Sequence, residues 1–393
     1  MNRKKARSKE EDSLESSYTE LKSSIFDFFG TLEDPRQERN RRHKLIDIIF
    51  ITICSVIGGA NNLKEVVMFA HSKRSWFQTI LCSENKMPSY STFWWFFVLL
   101  NSKLLNTCFI NWAQSLAGSN LGQAIAIDGK SLKGTRTEGN KSLHIVSVWA
   151  SDLHLTLAHE RVESKTNEIT VIPQVLESLD IKGTTITIDA MGCQKEIAEL
   201  IITQEADYIL ALKGNQGLLH DELINFFDQA IAVNFERVKY DQYEEKSKSH
   251  GREEKRTIFV SSEIDWLPQR SKWRGLKTIA MVQSERLVKG KRTSEKRYYI
   301  SSHEAKAKVL AKGIRSHWSI ENSCHWVLDV AFREDDLKGR TGYLGENMSL
   351  MRRIALNLLK QDKTTKAGIA AKRKKAGWDL SYLESLLSVK SLL

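Results

Sequence analysis

No Cys-x-x-C pair occurs in this chain. Its five cysteines, Cys54, Cys82, Cys108, Cys193 and Cys324, are odd in number and widely spaced. Neither a cysteine zinc finger nor a disulfide framework is therefore expected, and the spacing suits a reducing compartment. Proline is scarce, four in 393 residues, and no low-complexity linker interrupts the chain. A long hydrophobic run is also missing. The most apolar stretch, LIDIIFITICSVIGGA (45–60), is too short for a bilayer and carries Asp47. It reads as a buried helix, so no membrane is expected among the partners. The N-terminus, MNRKKARSKEEDSLESS, lacks the apolar core of a signal peptide, and a cytoplasmic location is expected.

What the chain does have is positive charge. Lys and Arg number 59 against 48 Asp and Glu, a formal balance of +11. An excess of this size favours polyanionic partners, nucleic acid first. The length suggests two or three domains.

Residues 1–20 are charged and poor in large apolar groups, and are expected to be a disordered tail. RQERNRRHK (36–44) has seven charged or chargeable residues in nine, and reads as a solvated segment or a phosphate-contacting patch. From 45 to about 118 the pattern is helical. A first helix stops at Gly58-Gly59. A second starts at Asn62, with Glu65 three residues on as in a capping box. A third starts near Ser89. This makes 21–120 a helical N-terminal domain with helix–turn–helix character.

The texture changes near 121. HIVSVWAS (144–151) and LTLAHERV (155–162) suggest a hairpin pair. NEITVIPQVLESL reads as a helix, TTITIDA as a strand, CQKEIAELIITQ as an amphipathic helix and DYILALKGN as a core strand. Strand–helix alternation of this kind makes the fold class α/β. Residues 218–300 read as irregular with β-like pieces. A long helix is expected over about 304–331 and an apolar one over 348–360.

Two acids stand where apolar strands are expected to end, Asp128 in AIAIDGK and Asp189 in TITIDAMG. Strand ends of open α/β sheets are where sites collect, although a lone Asp there is commonly a turn-former or cap. Small residues follow both, leaving room for a ligand near the backbone. On neighbouring strands the two would repel, and a pair of Mg²⁺ or Mn²⁺ ions about 4 Å apart would relieve this and support in-line phosphoryl transfer. A third carboxylate is then expected. Glu321, in HWSIENSCHW, is the best candidate. Read alone, that stretch has another reading, a zinc site of His317, Glu321 and His325 at four-residue helical spacing.

Taken together, LEDPRQERNRRHKLIDIIFITICSVIGGA, AIDGKSLKG, ESKTNEITVIPQVLESLDIKG, ITIDAMGCQKEIAE, DYILALKGNQ, KSHGREEKR and IRSHWSIENSCHWVLDVAFREDD carry a specific resemblance. Over roughly 25–390 the chain resembles the H-repeat-associated proteins and the ISAs family of insertion-sequence transposases, of the DDE class. The resemblance implies a ribonuclease-H-like catalytic domain over 121–393, interrupted by a β-rich insertion at about 218–300 and preceded by an all-α, DNA-binding N-terminal domain. It implies Asp128, Asp189 and Glu321 as the catalytic, metal-binding triad, with Mg²⁺ as cofactor and Mn²⁺ as a substitute. It implies double-stranded DNA, the element's terminal inverted repeats and its target, as partner, a homodimer or multimer on that DNA, and a bacterial, nucleoid-associated location. The alternative is a relative that keeps the fold and DNA affinity but has lost transposition.

The wider superfamily often flanks the Glu with Tyr, Arg and Lys at set offsets. Here Ile314, His317 and Leu328 stand at those positions, leaving Arg315 and His325 as candidate substitutes. Close relatives often have Lys-Leu at Ser323-Cys324. Lys130, Lys213, Asn215, Arg315, His317, Asn322 and His325 are the expected DNA contacts, since phosphate contacts come from such side chains. For Lys213 and Asn215 plain turn chemistry is the competing reading. Glu168 is read as a helix N-terminal charge rather than a fourth acid. Trp266 and Trp273 are read as core rather than as base-stacking residues. Trp318 and Trp326 are expected to pack their helix against the sheet.

Overall fold

The computed structural model describes residues 24–82, 86–118, 124–136, 141–163, 167–249, 252–288 and 290–388. The expected tail at 1–20 lies outside the described residues.

The helical first third follows its apolar spacing and caps. Helices α1 (Leu45–Ile57), α2 (Leu63–Ser72), α3 (Arg74–Leu81), α4 (Tyr90–Leu99) and α5 (Ser102–Ala117) succeed one another through short connections. α1 is buried over most of its surface, as its apolar run requires. Asn62 caps α2 by accepting from the Glu65 backbone N–H at 3.1 Å, and the Glu65 carboxylate accepts from the Asn61 N–H at 2.7 Å. Ser89 caps α4 in the same way.

The next elements are β1 (Ala124–Leu132), β2 (Leu143–Ala150), β3 (Leu155–Val162), α6 (Glu168–Glu177), β4 (Thr185–Ile188), α7 (Lys195–Thr203) and β5 (Asp207–Leu212). Then come α8 (Gly217–Ala232) and four strands, β6 (Tyr240–Ser249), β7 (Arg252–Ser261), β8 (Thr278–Val288) and β9 (Lys291–Ser301). Among the described residues, nine strands form one sheet in the order β3-β2-β1-β4-β5-β9-β8-β7-β6. β1, β4 and β5 run parallel, while β2, β3 and β9 are antiparallel to their neighbours.

The 218–300 region is thus more regular than its sequence suggested. α8 buries Leu219, Leu223, Phe227 and Ala230, a helical spacing that the preceding Gly-Asn-Gln-Gly obscured. The strands β6 to β9 carry charged residues along half their length because those halves extend past the core. Their alternation is therefore weak in sequence.

A single helical rod follows. α9 (Ala307–Ile320) passes through a π-helical turn, Glu321–His325, into α10 (Trp326–Phe332). Leu310 and Ile314 of α9 pack with Ile258, Val260, Val282 and Tyr299 of the outer strands. Each such buried side chain contributes about 1.5–3 kcal/mol, so packing fixes the rod against the sheet. Gly313 permits the approach, since a Cβ there would lie 2.4 Å from the Ile209 side chain of β5.

The chain closes with α11 (Leu344–Gln361), α12 (Ile369–Trp378) and α13 (Leu380–Leu387). α11 and α12 pack on α1, so one apolar core runs from Ile25 to Leu387. Arg373 of the basic tail is part of that core. It donates to the Val56 and Ala60 carbonyls at 2.8 and 2.9 Å and closes the C-terminal end of α1. Among the described residues, no single helix is long and apolar enough to cross a membrane.

Candidate functional site

β1 and β4 pair in parallel as far as Ile127 and Ile188. Asp128 and Asp189 are the next residue on each. Asp128 does not end its strand, because β1 continues to Leu132 paired with β2 alone. Loss of the β4 partner, rather than the end of β1, opens the sheet at Asp128.

The helical rod brings Glu321 and His325 to this opening. His325 is 2% exposed, and its Nδ1 lies 3.4 Å from Asp128 Oδ2 and 3.3 Å from Glu321 Oε2. The three residues place ligand-type atoms within 4.8 Å of one another. The π turn sets this arrangement, since it lies between the spans α9 and α10 and carries Glu321, Cys324 and His325 at its register. Turns of this kind recur at functional sites. Burial alone would lower the His325 pKa, but hydrogen bonding to Asp128 and Glu321 raises it above its usual value. The His325 hydrogen bond in turn lowers that of Glu321. The His325 ring therefore bridges two carboxylates that would otherwise repel.

Asp189 stands beside this trio. Its Oδ1 accepts from the Met191 and Gly192 N–H groups at 3.0 and 3.4 Å, which ties the loop after β4 to its own first residue. Burial, and then the charges of Asp128 and Glu168, raise the Asp189 pKa. Asn215 and Gln216 brace the same loop, donating to the Ala190 and Cys193 carbonyls at 2.6 and 2.9 Å. Lys213 is exposed just ahead of them.

The donors fit a hard divalent cation. They are mostly carboxylate oxygens, and the raised Asp189 pKa reflects uncompensated negative charge that a cation would relieve. They do not form the zinc set of His317, Glu321 and His325. His317 turns away and shares a 3.1 Å hydrogen bond with Thr187 of β4. It is a strut between rod and sheet rather than the DNA contact expected of it. His325, likewise expected to touch DNA, is buried between the carboxylates.

Lys130 is a further correction. Its ammonium pairs with Asp329 and, at 3.2 Å, with Glu334, and its side chain is 10% exposed. It joins β1 to α10 and is not available to a phosphate. Glu334 is fully buried and also accepts from Arg353 at 2.7 Å and Ser349 at 2.6 Å. Burial would raise its pKa, yet the Arg353 and Lys130 charges hold it well below the carboxylate range. Composition gave no hint of this network, although VLDVAFREDD placed its acids together.

The glycine after Asp128 also has an unexpected reason. A Cβ on Gly129 would lie 2.1 Å from Glu168 Oε1 and 2.7 Å from His144 Nε2. A carboxylate–imidazole pair of the protein itself fills the space expected for a ligand.

Beside Glu321 opens a trough of about 1000 Å³ between the rod and the outer strands. Arg252, Arg256, Arg286, Arg297 and Arg315 line it with Trp318. One carboxylate, Glu254, serves Arg252, Arg256 and Arg286 at 2.6, 2.7 and 3.1 Å, so the wall keeps a positive excess. Arg315 is exposed here and Asn322 lines the same trough. Trp318 meets the sheet through Arg297 of β9 and is not buried against it. It is 42% exposed beneath the Arg297 guanidinium, 4.9 Å from its ring centre, and Trp326 is 58% exposed. Trp273 is core, while Trp266 stacks on Phe226 at the surface.

An acid pair at adjoining parallel strands, a third acid on a crossing helix and an arginine-lined trough beside them suit a protein acting on a polyanion. Comparison with known proteins makes the class explicit. Residues 119–358 match the family described as "Transposase DDE domain", and residues 26–113 match the one described as "DDE_Tnp_1-associated". The chain belongs to the DDE transposase family. It is 39% identical over 372 residues to "Putative transposase YncI" of Escherichia coli O157:H7, covering 93% of this chain and 94% of that one. It is 37% identical over 380 residues to "H repeat-associated putative transposase YhhI" of Escherichia coli strain K12, covering 95% and 100%. A solved structure, a cryo-EM synaptic complex of piggyBac transposase with hairpin DNA, aligns over 96% of this chain and 80% of its own. Its TM-score of 0.38 and 11% identity are too low to carry an argument.

Proposed function

We propose that this protein cleaves and joins DNA at the ends of an insertion element, using Asp128, Asp189 and Glu321 as its carboxylate triad. The observation that supports this reading is the meeting of Asp128 and Glu321, from a strand and a crossing helix, next to Asp189 on the parallel neighbour of that strand. The order β3-β2-β1-β4-β5, with β2 antiparallel, supports the ribonuclease-H-like assignment of the catalytic domain over 121–393. The region of about 218–300, α8 with strands β6 to β9, is then the insertion, and 21–120 the DNA-binding helical domain.

Mg²⁺, or Mn²⁺ in its place, is the proposed cofactor. Bound there, a divalent cation neutralises charge on the transferring phosphate and eases deprotonation of the attacking water or 3′-hydroxyl. The residues of this chain present and orient the donors. Asp128 and Glu321 are held by His325, and Asp189 by its loop N–H groups. Lys213, Asn215, Arg315 and Asn322 remain the proposed DNA contacts, to which the trough arginines are added. The proposed substrate is double-stranded DNA carrying terminal inverted repeats, bound by a dimer or multimer of the cytoplasmic protein.

The test is strand cleavage of DNA carrying the flanking repeats, with Mg²⁺ or Mn²⁺. Cleavage by the wild type, lost in Asp189→Asn with end binding kept, supports the reading. Tight end binding without cleavage by the wild type would favour the transposition-inactive relative. Unchanged cleavage in Asp189→Asn would overturn the triad.

A further inference from the structure

Glu168 was expected to be a charge on the first turn of α6, and it does occupy that turn, behind the capping Asn167. A surface charge at a helix N-terminus is normally solvated. Glu168 is instead only 9% exposed, and its Oε1 is bound by His144 Nε2 at 2.5 Å. The other ring nitrogen of His144 shares a 2.8 Å hydrogen bond with Ser131 Oγ. Since an ionised carboxylate only accepts, Nε2 carries the proton in this bond. β1 and β2 thus orient one carboxylate of α6 through a serine–histidine chain.

The carboxylate so oriented lies against the backbone of Gly129, the residue after Asp128. Glu168 therefore approaches the backbone of β1 one position after Asp128. No Cβ separates them. Asp189, one step past the end of β4, is influenced by both charges. Among the described residues, Glu168 Oε2 has no hydrogen-bond partner. One oxygen of this carboxylate is thus fixed by His144, and the other is open to a ligand beside two further acids.

We infer that Glu168 is a fourth carboxylate of the metal centre, reaching the cation shared with Asp128 and Asp189 through Oε2, with His144 as its positioning residue. The inference rests on the proposed metal-dependent reading of the site. It explains why β1 carries Gly129, why α6 begins with a buried acid, and why a histidine of β2 points at that acid. His144 stands to Glu168 as His325 stands to Glu321, so that each outer acid of the site is oriented by an imidazole.

Binding of Mn²⁺ alone tests this on the full-length chain, by titration calorimetry and by the electron spin resonance signal of free Mn²⁺. Glu168→Gln keeps the size of the side chain and an acceptor for His144, but removes the charge. It should weaken Mn²⁺ binding about tenfold or more, in the range that changes around a metal site produce. Its thermal midpoint without metal should match the wild type. Should Glu168→Gln fail to fold, Glu168→Asp, which keeps the charge but withdraws it by one methylene, should weaken Mn²⁺ binding in the same direction. His144→Gln should weaken it less than Glu168→Gln. Wild-type Mn²⁺ affinity in a folded Glu168 variant, with affinity lost in Asp128→Asn, would overturn the role of Glu168 alone. Wild-type affinity in both would overturn the metal reading of the whole site.

Discussion

His325 lies between rod and strand with its Nδ1 3.4 Å from the Asp128 carboxylate, the only described histidine so placed among those of the HWSIENSCHW stretch. The same nitrogen reaches Glu321 at 3.3 Å. Removing the ring would leave two carboxylates facing one another with no hydrogen-bond partner between them. His325→Ala should therefore reduce strand cleavage by roughly tenfold to 100-fold, as loss of a partner around a metal site does. Single-turnover cleavage at several Mn²⁺ concentrations is the measurement. A variant as active as the wild type at every concentration would show that the helix and strand alone orient the acids.

Lys130 and Lys213 should behave differently although both follow strand acids or strand ends in sequence. Lys130→Met removes a cationic partner from the buried Glu334 and the half-buried Asp329, and should cost about 3–5 kcal/mol of stability. Lys213→Ala alters an exposed side chain and should change stability by less than about 0.5 kcal/mol, while weakening DNA binding. Urea unfolding and a DNA-binding titration on both variants separate the two. Equal stability of the two would remove Lys130 from the core network.

Acid should unfold the protein in part through Glu334. Its folded pKa lies well below the ordinary 4.5. A depressed carboxylate stabilises the fold above its unfolded pKa, and that stability is lost as pH falls below about 4.5 toward the folded value. The wild type should therefore lose stability progressively below that pH. Glu334→Gln should be less stable at pH 7 and show a shallower loss below pH 4.5. Chemical unfolding at a series of pH values measures both slopes, and parallel curves would count against the network.

The arginine trough should be read out by salt. If Arg315 contacts a phosphate, Arg315→Ala should lower the slope of log affinity against log salt by about one, with little effect on stability. A weaker variant with an unchanged slope would place Arg315 away from the phosphates.

Several elements were legible in advance because their signals are local. The Asn62–Glu65 cap, the stop of α1 at Gly58-Gly59 and the β2–β3 hairpin rest on neighbours a few residues apart. α8 and the outer strands were not, since a turn-like Gly-Asn-Gln-Gly masked the helix and long charged strand halves masked the sheet. Trp318 and Trp326 were misjudged for a related reason. Aromatic residues usually bury, but Trp318 lines the trough and Trp326 stands 58% exposed outside the core.

By itself the sequence determined the strands that deliver Asp128 and Asp189, the helix that carries Glu321 and the basic balance that suits DNA. Those follow from apolar runs, capping chemistry and net charge, which need no distant partner. Tertiary structure decided which polar residues face the site. It committed Lys130 to Glu334, turned His317 to Thr187, set His325 between two acids and seated Glu168 over Gly129. Each of these depends on a contact between segments remote in sequence. The energy of a buried charge is set by those neighbours and not by its own stretch of chain.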